Sequence, residues 1–360
     1  MSIIYVYFTV FILAFLSVYT ITPFIIRFAH KTNFMDNPEA RKLHKKATPL
    51  LGGIAVFIGF FVFTVFVVIT TKHPLDNAVL GYLLGAFIIL LVGIIDDKFG
   101  MHPLIKLGGQ LFSCLVFIYF NNLITLFGPF YITLPILFFW MIGLMNALNF
   151  LDNMDGIITG MSGILAIGFY CISFISKNKF FPSESEYICL LSLTFAGSVF
   201  GFLPHNFNPA KIFLGDSGSM FFGYFLSTMG ILAGRLATKS MNNSLYYLLP
   251  ILLLSYAIFD ISLVSFTRKR DGRRISQGGK DHSTHRIGTA IGSDKVTAII
   301  VYLINIIIVL VTIIVLKMES AKLLIISTVI FAVFFLFFGK KLDQIPIVIP
   351  ENQLKSLKEE

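Results

Sequence analysis

The sequence predicts an all-α fold, a polytopic bundle of transmembrane helices. Hydrophobic residues make up 56% of the 360 and charged residues 13%, with a mean hydropathy of +0.84. These values exceed what a soluble core of this length requires. Apolar runs long enough to cross a bilayer, about 20 residues each, recur along the chain. We therefore expect an integral membrane protein with 10 or 11 spans.

Eleven apolar runs are the candidate spans. In chain order they lie near residues 3–26, 50–71, 78–95, 105–121, 123–143, 157–176, 187–203, 217–234, 245–266, 296–316 and 321–339. The first run lacks the basic region and the small-residue cleavage site of a signal peptide, so we expect it to be retained as a helix. Cys114, Cys171 and Cys189 lie in apolar runs without metal-ligand spacing, which is typical of packing residues.

The basic residues predict which ends of the spans face the cytoplasm. With the N-terminus outside, 21 of the 28 Lys and Arg residues fall on the inner side and 7 on the outer side, which is the positive-inside pattern. The inner segments are then 27–49, 96–106, 144–156, 204–218, 268–295 and the tail after 339. The net charge of +9 is concentrated in two of these loops, which suits anionic headgroups or an anionic substrate. No recognisable nucleic-acid module accompanies it, so nucleic acid is not an expected partner.

Acidic residues stand where apolar runs meet this inner side. They are Asp96 and Asp97 in "GIIDDKFG", Asp152 and Asp155 in "NALNFLDNMDG", Asp216 in "FNPAKIFLGDSGS" and Asp260 in "YAIFDISL". A single carboxylate of this kind can be a helix end that reaches water. Carboxylates near membrane depth are costly, however, and four such sites on one membrane face indicate function.

The segment around Asp152 has metal-binding character. Asn146, Asn149, Asp152 and Asp155 are three residues apart, so in a helix they share one face. Hard oxygen ligands of this kind suit Mg²⁺, which takes few protein carboxylates and keeps waters or substrate phosphates. The alternative for the two asparagines is hydrogen bonding between helices.

Two further segments have the composition of anion sites. The Gly/Ser turn at Asp216 precedes a span, and a helix N-terminus favours phosphate. Phe213, just before it, is either a base-stacking platform or an interface anchor, and the residues alone favour the anchor. In the basic loop 268–295, His282, His285 and Arg286 could bind metal, transfer protons or clamp phosphate, or be plain solvated residues.

Taken in order, these segments resemble one family. "HKKATPLLGGI", "GIIDDKFGMHPLIKLGGQ", "NALNFLDNMDGIITGM", "FNPAKIFLGDSGSMFFGY" and "KDHSTHR" look like the motifs of the polyprenyl-phosphate N-acetylhexosamine-1-phosphate transferases. The resemblance covers about residues 23–290. The same superfamily includes the phospho-MurNAc-pentapeptide translocase.

The resemblance implies a multi-pass enzyme of the inner (cytoplasmic) membrane. It would transfer a sugar-1-phosphate, GlcNAc-1-phosphate in the preferred reading, from a UDP-sugar to undecaprenyl phosphate and release UMP. This is the first membrane step of envelope glycan synthesis. The family implies Mg²⁺ as cofactor, with Mn²⁺ as a candidate substitute, and members are often homodimers. We expect residues 1–340 to form one membrane-embedded transferase domain and 341–360 a cytoplasmic tail.

The resemblance also assigns the catalytic and metal-binding residues. Asn149 and Asp216 match the positions that hold Mg²⁺ on the pyrophosphate. Lys106 matches a lysine that holds phosphate. Asp96 and Asp97 match the acidic pair near the lipid phosphate, and one hypothesis is that Asp97 accepts the last proton of that phosphate.

The remaining matched positions are expected to contact the UDP-sugar. Phe213 matches an aromatic residue that stacks on uracil, which reverses the anchor reading, and Asp155 matches a residue that bonds the uracil edge. A histidine-rich motif that contacts the diphosphate or sugar is matched by His282, His285 and Arg286. Asp152 and His44 are assigned to substrate binding with them.

The chain departs from the family pattern at two positions. Asn153 stands where members often have glycine, and Thr284 where many have a further histidine. The second departure removes the three-histidine run of the pentapeptide translocase and favours a GlcNAc-type enzyme of wall polymer, O-antigen or capsule synthesis. Another UDP-N-acetylhexosamine or UDP-MurNAc-pentapeptide remains the alternative donor.

Two other classes of protein compete with the transferase. A transporter or channel places its polar site near the midplane between repeated halves, whereas these acids lie at one face and no internal repeat is present. An inactive lipid-binding scaffold would not need Asp97, Lys106, Asn149 and Asp216 together.

Overall fold

The computed structural model describes residues 3–36, 47–70, 77–176, 182–275 and 279–347, which are almost entirely helical. The helices are α1 (Ile3–Thr32), α2 (Gly52–Thr70), α3 (Asn77–Phe99), α4 (Pro103–Phe120), α5 (Phe130–Leu151), α6 (Ile157–Ile175), α7 (Pro182–Asn206), α8 (Gly215–Met241), a 3₁₀ turn (Ser244–Leu248), α9 (Leu249–Leu253), α10 (Ser255–Arg270), α11 (Ser283–Ile291), α12 (Asp294–Lys317) and α13 (Ala321–Asp343). Two short antiparallel strands, β1 (Met35–Asp36) and β2 (Thr48–Pro49), lie between α1 and α2. The predicted all-α class is confirmed.

Ten helices of the described segments are long and apolar enough to cross a membrane, and a bent pair raises the total to 11. The bent pair joins residues 244–253 to α10 at an angle of 67°. The predicted span near 245–266 is therefore in the right place but is broken. Leu254 lies at the break, where its N–H still donates to the carbonyl of Pro250 at 2.9 Å.

The fifth span begins later than the sequence predicts. The expected run 123–143 includes residues that form turns in the structure, and α5 occupies Phe130–Leu151 instead. Asn122 and Gly128 both have positive φ there, a conformation that a continuing helix excludes. Hydropathy misses these turns because Leu123, Ile124 and Leu126 between them are apolar. As a consequence, Asn146 and Asn149 lie on the helix and not in the predicted loop.

Helix α8 is the centre of the bundle. Its membrane-spanning window is 94% buried, compared with 22% for α1 and 11% for α13, and it packs against α2, α3, α5 and α6. Its sequence is rich in Gly and Ser, and small residues let membrane helices approach closely. A Cβ added at Gly223 would meet the backbone of Met145 on α5.

The first turn of α8 is held on two sides by backbone contacts. A Cβ at Gly53 of α2 would overlap Gly218, and one at Gly93 of α3 would overlap the backbone of Ser217. The residues just before α8 also pair with the start of α2, because Gly53 N–H donates to the carbonyl of Leu214 at 2.8 Å. This packing fixes the "LGDSGS" turn between α2 and α3.

Candidate active site

A lysine lies between acidic residues from different helices. Lys106 on α4 places its Nζ 2.7 Å from Asp96 Oδ2 on α3 and 2.7 Å from Asp216 Oδ2 on α8. Asn149 Oδ1 on α5 is 3.5 Å from the same nitrogen. Four helices thus bring together residues that are up to 120 positions apart in the chain, at the ends where the sequence analysis expected the acids to meet.

Asn149 is fixed by contacts to α8. Its Nδ2 donates to Asp216 Oδ1 at 2.8 Å and is 2.9 Å from Ser219 Oγ. About one turn away, Gln110 and Asn146 exchange two amide hydrogen bonds of 3.4 and 3.3 Å between α4 and α5. Gln110 and Ser219 were not among the predicted site residues. The position of Gln110 one turn after Lys106 was the only signal in the sequence that pointed to it.

Asp97 caps the N-terminus of α8. One carboxylate oxygen accepts the backbone N–H of Asp216 at 2.7 Å and the other accepts that of Ser217 at 3.0 Å. Carboxylates stabilise a helix N-terminus because the first N–H groups lack partners inside the helix. Gly215, which has a φ of 75°, leaves room for this carboxylate. Asp97 therefore directly supports the backbone that carries Asp216.

The predicted stripe of four oxygen-bearing residues does not form. Helix α5 ends at Leu151, so Asn146 and Asn149 share a helix face while Asp152 and Asp155 lie beyond it. The physical reason is a C-terminal cap at Asp152, whose ψ of 57° turns the chain out of the helix. The three-residue spacing of these polar residues therefore continues past the end of α5, where it no longer places them on one face.

Asp152 remains electrostatically close to the acidic cluster, which consists of Asp96, Asp97 and Asp216 beside Lys106. Burial, and then the negative charges of Asp216, Asp97 and Asp155, raise the pKa of its carboxyl well above its usual range. Among the described residues, none forms a hydrogen bond to this carboxylate. Its charged form needs a cation that these neighbours do not supply.

The donors at this point fit Mg²⁺. Asp216, with 36% of its side chain exposed, and Asn149 offer hard oxygens. Asp152 adds a nearby carboxylate that no described residue pairs with. The described part of the chain contains no group of three or more His, Cys, Asp or Glu that could hold a metal by itself. Mg²⁺ does not require such a cage, because it usually takes one or two carboxylates and completes its shell with waters and substrate phosphates.

Asp155 and Phe213 are linked by the loop between α7 and α8. Asp155 Oδ2 accepts hydrogen bonds from Asn208 Nδ2 at 3.1 Å and from the N–H of Ala210 at 2.9 Å. The loop then leads to Phe213, whose N–H donates to the carbonyl of Pro49 at 2.8 Å and whose residue is partly exposed. Asp155 thus orders the loop that presents the aromatic ring.

The two departures from the family pattern contact each other. Thr284 Oγ1 at the start of α11 donates to Asn153 Oδ1 at 2.7 Å. His282, the residue before α11, lies beside Phe150, with 6.3 Å between the ring centroids. The N-terminal end of α11 is therefore next to the turn that contains Asp152.

His285 lies in the first turn of α11. Burial is the main cause that lowers its pKa, to about 4, and the neighbouring imidazole of His282 disfavours a second positive charge at this point. Its Nδ1 is buried and has no hydrogen-bond partner in the ranges that the structure describes. At neutral pH it is therefore an uncharged imidazole.

Arg286 is placed apart from the acidic cluster. It is 2% exposed, and its guanidinium donates to the carbonyls of Asp281 and Leu342 at 3.0 Å each. These contacts tie the 281–286 segment to α13. Burial alone would raise the pKa of Asp281, but the guanidinium of Arg268 at 2.7 Å lowers it to about 2. Direct contact of Arg286 with a substrate stays a prediction.

His44, which was also expected to bind the substrate, lies outside the described residues.

Comparisons with known proteins identify the family of this chain. The model of the family described as glycosyl transferase family 4 matches residues 79–234, which include Asp96, Lys106, Asn149 and Asp216. The chain is 32% identical over 304 residues to a Bacillus subtilis (strain 168) protein named as a probable undecaprenyl-phosphate N-acetylglucosaminyl 1-phosphate transferase, covering 82% of this chain and 81% of the relative.

More distant relatives carry related names. A decaprenyl-phosphate N-acetylglucosaminephosphotransferase of Mycobacterium tuberculosis (strain CDC 1551 / Oshkosh) is 27% identical over 296 residues, 74% of this chain and 72% of the relative. A phospho-N-acetylmuramoyl-pentapeptide-transferase of Prochlorococcus marinus (strain MIT 9312) is 28% identical over 296 residues, 72% of this chain and 79% of the relative. The chain is thus a multi-pass membrane enzyme of glycosyl transferase family 4, the phosphoglycosyltransferases that transfer a sugar-1-phosphate to a polyprenyl phosphate.

Proposed function

We propose that this enzyme transfers GlcNAc-1-phosphate from UDP-GlcNAc to undecaprenyl phosphate and releases UMP. The observation that carries the proposal is the convergence of Lys106 with Asp96, Asp216 and Asn149 from four helices. Both reactants are anionic, so their repulsion must be screened before one phosphate can attack the other. A lysine and a divalent-cation site at one point meet that requirement.

The proposed roles combine the family resemblance with this geometry. Asp216 and Asn149 would hold Mg²⁺ on the donor pyrophosphate, and the metal would neutralise charge that develops in the transferred phosphoryl group. Lys106 would orient a phosphate through its ammonium, assisted by Asp96. The lipid phosphate would attack directly, since in-line transfer needs no covalent enzyme intermediate.

Asp97 is better suited to positioning than to proton transfer. Both of its oxygens already accept N–H groups of α8. A phosphate monoester has a second pKa of about 6, as for phosphoserine, so at neutral pH most of it carries no proton to remove. We therefore assign Asp97 the task of holding Asp216, and proton acceptance becomes the alternative.

The nucleotide end of the donor would lie beside the α7–α8 loop. Phe213 is proposed to stack on uracil. Asp155 Oδ1, which accepts no hydrogen bond from the described segments, is proposed to bond the uracil edge. Support comes from the Asp155 contacts to Asn208 and Ala210, which order the loop before the ring. The sugar and diphosphate would then extend toward α11, where His282 and His285 lie.

GlcNAc is preferred as the sugar because the relative that is 32% identical over 82% of this chain is named as a probable undecaprenyl-phosphate N-acetylglucosaminyl 1-phosphate transferase. The Mycobacterium tuberculosis relative is named as an N-acetylglucosaminephosphotransferase. Thr284 also stands where the pentapeptide-transferase pattern has a histidine, and its hydroxyl is used in a hydrogen bond to Asn153 within the protein. A role in wall polymer, O-antigen or capsule synthesis follows from the same proposal. A UDP-MurNAc-pentapeptide donor is the second candidate, supported by the Prochlorococcus relative.

The site is proposed to face the cytoplasm. The N-terminus would lie outside and the residues after 340 inside, as the distribution of Lys and Arg favours. Residues 1–340 would act as one transferase domain. Mn²⁺ is a candidate replacement for Mg²⁺, and a homodimer is the candidate assembly.

The test is UMP release by the purified protein in the presence of Mg²⁺ and undecaprenyl phosphate. UDP-GlcNAc, UDP-GalNAc and UDP-MurNAc-pentapeptide are supplied separately, and omission of lipid or metal is the control. We expect release with UDP-GlcNAc only, and only when both lipid and metal are present. Release with another donor alone would reject the sugar assignment. No release with any donor from folded protein would favour a different UDP-sugar, or a transport or scaffold role.

A further inference from the structure

A buried carboxylate on α10 has no part in the chemistry described so far. Asp260 is 1% exposed and is surrounded in sequence by apolar residues. An ionised carboxylate is costly to bury unless hydrogen bonds satisfy it. Every hydrogen bond that Asp260 makes in the described residues comes from the segment at the N-terminal end of α11.

Three contacts fix this carboxylate. Asp260 Oδ2 lies 2.8 Å from His282 Nδ1. The other oxygen accepts the N–H of Ser283 at 2.8 Å and its hydroxyl at 2.6 Å. The same hydroxyl oxygen is 2.9 Å from Tyr256 Oη, one turn earlier on α10.

The contact with Asp260 determines that His282 carries a proton on Nδ1. An ionised carboxylate only accepts hydrogen bonds, so His282 Nδ1 must donate and therefore carries a proton. Nε2 is then the ring nitrogen left for a further partner. No residue in the described ranges forms a hydrogen bond to it.

The His282 ring lies beside the turn that follows α5. Phe150 packs against its ring, and Thr284 ties the same end of α11 to Asn153. The imidazole is therefore held next to the turn that contains Asp152. A carboxylate that holds the second nitrogen of a functional imidazole is a common way of fixing its tautomer and orientation.

We propose that Asp260 is a positioning residue, which holds His282 in its Nδ1-protonated form so that Nε2 is presented to the diphosphate or sugar of the donor. The identity of the ligand in this proposal rests on the proposed function. The competing possibility is that the contact only ties α10 to α11, with no consequence for the ring.

The first test is spectroscopic and does not depend on turnover. In Asp260→Asn the amide oxygen can keep both Ser283 contacts, so the amide nitrogen faces Nδ1 as a donor. The ring proton then moves to Nε2. In full-length protein with ¹⁵N-labelled histidine, assigned with His282→Ala, we expect a protonated Nδ1 in the wild type and an unprotonated Nδ1 in Asp260→Asn. A retained Nδ1 proton in the variant would overturn the proposal even if the enzyme were fully active.

The second test is a double-mutant cycle on UMP release. Asp260→Asn should lower kcat/KM by about 10-fold or more, as loss of an orienting carboxylate does elsewhere. In the His282→Ala background the same change should cost less than about twofold, because the residue acts through the imidazole. An equal loss in both backgrounds, or a His282→Ala variant as active as the wild type, would overturn the proposal.

Tyr256→Phe is the matched control, since it removes only the outer hydrogen bond to Ser283. We expect it to retain kcat/KM within about twofold. A loss as large as that of Asp260→Asn would mean that the network is structural and would overturn the proposal. If the wild type shows no transfer at all, the proposed function fails. The ¹⁵N measurement still decides whether Asp260 fixes the ring in that case. It also replaces the double-mutant cycle if His282→Ala has no detectable activity, because it does not depend on turnover.

Discussion

At the residue scale, charge balance dominates the candidate site. Lys106 is shared by Asp96 and Asp216, while Asp152 nearby has no cationic partner in the part of the chain that the structure describes. Buried carboxylates are stable only when cations or hydrogen-bond donors compensate them. The excess of negative charge is what a divalent cation and a substrate-orienting lysine would balance.

Asp97→Asn distinguishes positioning from proton transfer. Asn can accept the two α8 N–H groups with one oxygen only, so α8 should be held less well and Asp216 with it. We expect kcat/KM to fall about 10- to 100-fold and the Mg²⁺ concentration for half-maximal UMP release to rise. The acidic limb of the pH profile should stay in place. An unchanged Mg²⁺ requirement with loss of that limb would instead identify Asp97 as the proton acceptor.

His285 gives the protein a defined pH dependence of stability. Its pKa is about 4 in the folded protein and about 6.5 in an unfolded chain, so between these values the unfolded state binds more protons. The contribution of His285 to stability is therefore fully present above pH 6.5 and is lost as the pH falls toward 4, by up to about 3 kcal/mol. Thermal unfolding in detergent at pH 4.5 and 7 should show this decrease, and His285→Gln should reduce it. An equal decrease in His285→Gln would assign the effect to other groups.

The site residues were predictable to different degrees. Asp96, Lys106, Asn149 and Asp216 were found from ordered motifs, and the structure brings them together. The sequence indicated Asp260 as a carboxylate in an apolar run. Its partners could not be predicted, because they belong to another element more than 20 residues away. Tertiary contacts of this kind leave no local pattern.

At the element scale, close backbone packing fixes α8. Gly93 of α3 touches the backbone of Ser217, directly after the proposed metal ligand Asp216. Gly143 on α5 is far less restricted, since a Cβ there would meet nothing within 4 Å. The two glycines therefore have different roles although both lie in membrane-spanning helices.

Gly93→Ala should displace the first turn of α8. Overpacking of this kind costs about 1–3 kcal/mol, so we expect a lower Tm and a weaker response of UMP release to Mg²⁺. Gly143→Ala is the control and should leave both unchanged or slightly raise the Tm, since Ala favours a helix. Equal behaviour of the two variants would reject close packing as the means by which Asp216 is positioned.

The elements were predictable where hydropathy and backbone agree. All eleven apolar runs correspond to helices, but the bend at Leu254 and the late start of α5 were not foreseen. Both are backbone events within apolar sequence, so composition does not reveal them. The cap at Asp152 likewise ended the helix inside an apparently helical pattern of polar residues.

At the scale of the whole molecule, the acidic cluster and α11 lie on one side of the bundle, and the basic residues predict that this side is cytoplasmic. Ser244 and Lys269 lie at opposite ends of the bent span 244–270. In a variant without Cys114, Cys171 and Cys189, we expect Ser244→Cys to react with an impermeant maleimide in intact cells. Lys269→Cys should react only after permeabilisation, and the reverse pattern would invert the proposed orientation.

The central claim is that Asp216 helps to bind the Mg²⁺ on which sugar-phosphate transfer depends. The most direct measurement is a Mg²⁺ titration of UMP release, with UDP-GlcNAc and undecaprenyl phosphate, for the wild type, Asp216→Asn and the exposed-acid control Asp294→Asn. We expect saturable dependence for the wild type and the control. For Asp216→Asn we expect loss of turnover, or a half-saturating Mg²⁺ concentration at least about 10-fold higher. An unchanged titration curve in Asp216→Asn would contradict a role of Asp216 in Mg²⁺ binding.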